Sequence, residues 1–159
     1  MIEKQVSTGL VAFAVAATLS GGICGKYAGG LLATRIGVIR SIVLFELFTA
    51  IGILLVSYAQ GNFSFFLLPL VGVFLQGSSS ITYRTVSNLV HKKQQSRGFS
   101  IIYTIASSAS FVGPAIFGLI IDLFGFKVMM TIMATLVLFT LPLCYLLKLA
   151  LERIQSNIN

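Results

Sequence analysis

The sequence predicts an all-α integral membrane protein, a bundle of about five transmembrane helices, and three observations carry that prediction. Of its 159 residues, 57% are hydrophobic and only 9% charged, where a soluble domain carries roughly 25% charged residues. Four runs, Gln5 to Gly25, Leu47 to Tyr83, Gly98 to Ile121 and Val128 to Leu147, contain no Asp, Glu, Lys or Arg. Most of the cations gather in the short stretches between those runs.

Crossing a hydrocarbon core of roughly 30 Å takes about 20 helical residues, because the helix satisfies every backbone N–H and C=O within itself. The first run gives a span over residues 8–31, in which Ser20-Gly21-Gly22 suits close helix packing in lipid. The second run is too long for one helix. A polar, turn-prone cluster of Tyr58, Gln60, Gly61, Asn62 and Ser64 divides it into spans over 38–58 and 63–88. The third run gives a span over 99–123, with a second small-residue stretch at Ser107-Ser108-Ala109-Ser110, and the last gives 127–148. Loops this short leave no room for a soluble domain. Residues 1–159 therefore read as a single transmembrane domain of neighbouring antiparallel helices.

Lys and Arg concentrate in cytoplasmic loops. Arg35 and Arg40 flank the first loop, Lys92, Lys93 and Arg97 fill the third, and Lys148 and Arg153 follow the last span, while the other side holds only Lys4 and Lys127. This predicts a multi-pass protein of the plasma (inner) membrane with its N-terminus outside and its C-terminus cytoplasmic. The formal charge of +7 then calls for membrane lipid head groups as neighbours and needs no nucleic acid. An odd number of spans starting outside, after a short tail, is the plan expected of a chain missing its front.

The first loop reads Gly30-Leu31-Leu32-Ala33-Thr34-Arg35-Ile36-Gly37-Val38-Ile39-Arg40. It resembles the loop motif of the major facilitator superfamily, G-x-L-a-D-R-x-G-r-r, which joins the second and third helices of each six-helix half in that family. Gly30, Leu32, Ala33, Arg35 and Gly37 match it; Thr34 replaces the Asp, and Arg40 closes a loosened basic pair. The stretch from Gly113-Pro114 through Gly118 and Asp122 to Gly125 is similar to the end of the family's eleventh helix. His91 to Gly98 resembles the basic link before that helix.

In this register the five spans resemble helices eight to twelve of a twelve-helix transporter. The resemblance implies alternating-access transport of a small solute by a truncated C-terminal portion, partnered by the missing N-terminal half or by further copies of itself. The family's antiport motif, G-P-x-x-G-G, is not met, since Gly113-Pro114 is followed by Phe117-Gly118. Gly118 to Gly125 repeats the spacing of Gly30 to Gly37, which we read as shared turn chemistry.

Ionisable side chains inside spans are costly and mark a partner, a cavity or a route to the interface. Lys26, Glu46 and Arg84 are the candidates. Lys26 and Glu46 lie at depths of roughly 14 and 9 Å on adjacent spans, so they either pair or line a solute path. Asp122 reads as an interfacial turn residue. The Ser, Thr and Tyr residues of the third and fourth spans are expected to bond between helices. Cys24 and Cys144 read as packing residues. One His and four acids form no recognisable catalytic or metal-binding set, so no enzyme activity and no cofactor is expected. The rival reading is a non-catalytic membrane assembly subunit.

Overall fold

The computed structural model describes residues 8–59, 63–89 and 94–156. They form α1 (Thr8–Ile36), α2 (Val38–Tyr58), α3 (Phe63–Leu89), α4 (Gln95–Phe124), α5 (Phe126–Leu138) and α6 (Thr140–Ser156). The all-helical class is as expected. Four spans, Val38–Tyr58, Phe63–Thr85, Gln95–Phe124 and Phe126–Leu146, are long and apolar enough to cross a membrane, and α1, with 29 residues, has the length to do so. Phe111, Phe66 and Tyr27 are 89%, 79% and 77% exposed. Water would penalise such a surface, whereas lipid tails solvate it.

Several boundaries differ from expectation: α4 starts at Gln95, ahead of 99, and α6 runs to Ser156, past 148. Hydropathy ends the first span at residue 31, yet α1 runs on to Ile36, because a helix does not stop where the hydrocarbon does. The last span, expected as one helix over 127–148, is divided at Phe139 into α5 and α6. Pro142 has no N–H to give the carbonyl four residues back, and its ring crowds that carbonyl; the residue is Leu138, the last of α5. The Thr140 hydroxyl donates to the Val137 carbonyl at 2.6 Å across the break.

Helix α2 is the hub, packing against α1, α3, α5 and α6. Around it lie two apolar clusters. One joins Ala33, Ile42, Phe45, Ile81 and Cys144, with Phe74 against it; Phe74 meets Phe45 edge-on at 5.8 Å and stacks on Phe48 at 4.9 Å. The other joins Ala50, Ile53 and Ala134.

The most extensive contact is between α1 and α3, which are not adjacent in the chain; the sequence neighbours α1 and α2, and α2 and α3, also pack against each other. Gly21, Gly25 and Gly29, four residues apart, lie against the backbone carbonyls of Pro69, Val73 and Gly77 in the same order, so the two helices run parallel. Gly72 of α3 faces the Thr18 carbonyl in return. A Cβ at any of these glycines would collide with backbone. With lipid outside and no hydrophobic force between helices, such close backbone approach is what holds them together.

Candidate functional site

The residues of the first-loop motif divide between core and surface. Ala33 is 5% exposed within the apolar cluster, and Leu32 packs against that cluster. Gly30 has open space around it, while Arg35 and Arg40 are exposed. Thr34, standing where the family motif has Asp, donates its hydroxyl to the Leu31 carbonyl at 2.6 Å on its own helix.

Gly37 is the whole connection between α1 and α2, with φ 90° and ψ 156°. Gly125 is the whole connection between α4 and α5, with φ 86° and ψ 166°. This backbone region is essentially restricted to glycine. Each turn carbonyl accepts from the N–H four residues on: Ser41 bonds Gly37 at 3.1 Å and Met129 bonds Gly125 at 3.3 Å. The two turns share one chemistry, as their spacing suggested. By chain order they lie at opposite ends of the bundle.

Glu46, half-buried on α2, sits within hydrogen-bond reach of Ser78 on α3 and close to the Cys144 thiol of α6. Its polar neighbour is thus Ser78 and not Lys26, which is exposed on α1. Arg84 and Asp122 are also exposed. On α4, Gly113 meets only its own helix's Phe117, Gly118 has open space, and Pro114 is exposed. His91, Lys92 and Lys93 lie outside the described residues.

Ser78 meets the expectation of bonds between helices through Glu46, whereas four other hydroxyls do not. Ser79, Thr82, Thr104 and Ser110 all donate to carbonyls three or four residues earlier in their own helix, at 2.7–3.0 Å. In a medium without water the nearest unsaturated acceptor is that carbonyl. Cys144 is buried, as expected, whereas Cys24 is exposed.

The close packing expected at Ser20-Gly21-Gly22 is met, Gly21 lying against the Pro69 carbonyl, but the seam extends further, through Gly25 and Gly29 at the same four-residue spacing. Sequence reasoning missed that α4, 30 residues long, has no buried residue. Its exposed face carries Tyr103, Thr104, Ser107, Ser108 and Ser110.

Apolar helices long enough to span, two pairs of them joined by one-residue glycine turns, define a multi-pass membrane protein. The chain belongs to the major facilitator superfamily: the family model, Major Facilitator Superfamily, matches residues 1–157. It is accordingly of the major facilitator transporter type. No curated protein and no solved structure matches it.

Proposed function

We propose that this chain supplies helices equivalent to eight to twelve of a solute transporter, and that it works as part of a C-terminal half by alternating access between two halves. The observation that carries the reading is α4. A helix apolar enough to span, with no buried residue and a polar row along it, is suited to face partner helices and a path between them. Lys26 and Arg84, both exposed, are the ionisable residues we assign to that path. Glu46, held between helices, is assigned a packing role.

The basic end, with Arg35, Arg40, Arg97 and Lys148, is assigned to the cytoplasm and the Lys127 end to the outside of the plasma membrane. Lys127 lies 6.0 Å from the Tyr58 ring centre, which supports its place at the end opposite the first loop. In a Cys24→Ala, Cys144→Ala background, Gln94→Cys is expected to label from inside and Ala59→Cys from outside; the reverse pattern refutes the orientation.

Transport by two halves predicts that the 159-residue chain reconstituted alone in liposomes gives no flux of labelled sugars, amino acids, organic anions or drugs. Saturable, protein-dependent uptake of any of them would overturn the reading of the chain as part of one half.

A further inference from the structure

At the basic end, a groove of about 570 Å³ opens between the start of α2 and the end of α6. Val43, Leu44 and Leu47 form its apolar wall, and Arg40, Lys148 and the Gly37 turn also line it. We propose that this groove binds one anionic phospholipid, its phosphate held between Arg40 and Lys148 and one acyl chain laid along α2.

The dimensions and the charge both select this occupant. From Arg40 to Leu47 the helix descends about 10 Å, roughly two thirds of one leaflet of a hydrocarbon core about 30 Å thick. The wall residues are 36–42% exposed, so a chain seated there gains contact with side chains that the bundle leaves uncovered. The volume lies within the range of roughly 300–1,000 Å³ usual for small-ligand sites. A zwitterionic lipid would fill the wall equally well, but only a net negative head group is favoured by two cations in the lining. Basic pockets between transmembrane helices recognise anionic head groups in this way. The Gly37 turn contributes room: it has no Cβ, and nothing lies within 4 Å of where one would be.

The chain has no Trp, so a single Leu47→Trp substitution gives a reporter at the deep end of the groove. Phe111→Trp on the exposed face of α4 serves as the reference. Each variant is reconstituted into phosphatidylcholine vesicles containing rising fractions of brominated phosphatidylglycerol or brominated phosphatidylcholine, and quenching is measured. Phosphatidylglycerol is expected to quench Leu47→Trp at a much lower mole fraction than phosphatidylcholine does, with no such preference at Phe111→Trp. Adding Arg40→Gln or Lys148→Gln should weaken the preference about fivefold each, and both together about 25-fold. The charge-preserving pair Arg40→Lys and Lys148→Arg should retain most of it. Equal quenching by the two lipids at Leu47→Trp would overturn the proposal, as would a preference that survives the double Gln substitution or occurs equally at Phe111→Trp. Relief of the quenching by millimolar inorganic phosphate would assign the cations to a free anion and would also overturn it.

Discussion

Replacing Gly25 by alanine tests what holds the bundle together. The added Cβ would fall on the Val73 carbonyl oxygen, a backbone atom that no rotamer change can remove. Helices α1 and α3 would have to part by about 1 Å, and a gap of roughly that size forfeits a quarter to a half of the dispersion well at each contact along the seam. Overpacking of this kind costs about 1–3 kcal/mol. Alanine's better helix propensity returns at most about 1 kcal/mol, and less in lipid, where the helix is already formed. The net expectation is a loss of about 1–2 kcal/mol. Gly30→Ala, with no atom within 4 Å of the new Cβ, should cost nothing. Cys144 is buried in the cluster that α1, α2 and α3 share, so in a Cys24→Ala background its rate of thiol labelling reports opening. Labelling of Gly25→Ala in mixed micelles, titrated with sodium dodecyl sulfate, should rise at lower denaturant than labelling of Gly30→Ala. Coincident curves would refute the seam as the source of cohesion.

Gly37→Ala and Gly125→Ala should each destabilise by about 1–3 kcal/mol although both sites have open space around them, because the cost is in the backbone; the same denaturant titration checks this, and loss-free substitution would refute it. Glu46→Ala and Ser78→Ala should couple by about 0.6 kcal/mol in a double-mutant cycle. Lys26→Ala and Glu46→Ala should add within about 0.5 kcal/mol, and strong coupling between them would restore the ion pair that the structure does not form.

Hydropathy made the spans legible because lipid imposes a length on every helix that crosses it. It said less about ends: α1 continues past the apolar run, and α5 stops where Pro142 removes a partner from Leu138, a consequence readable only by counting four residues back. The shared turn was legible because φ near 90° admits glycine and little else. Partner choice was not legible. Depth placed Lys26 and Glu46 at comparable levels, but depth does not fix the rotation of a helix about its axis, and that rotation turns Lys26 outward and Glu46 toward Ser78. The cations lining the groove stand far apart in sequence, at positions 40 and 148, and only the fold brings them to one cavity.

Two hairpins built on the same glycine turn end with unlike cohesion, and apolarity does not explain the difference. Helix α4 is more apolar than α3 over the best window of each, yet α3 is partly buried and α4 is not buried at all. Lipid satisfies an apolar face as well as a neighbouring helix does, so an apolar face alone gives a helix no reason to associate. What α1 and α3 have is glycine against carbonyl at three successive turns. Gly113 and Gly118 of α4 meet no backbone of another helix, and α4 has only slight contact with α3 and modest contact with α5. The first hairpin is thereby clasped by α3, whereas α4 is joined to the bundle chiefly through the helix that follows its own turn. On the function proposed above, that places the exposed surface on the helix best able to meet a partner without disturbing the seam.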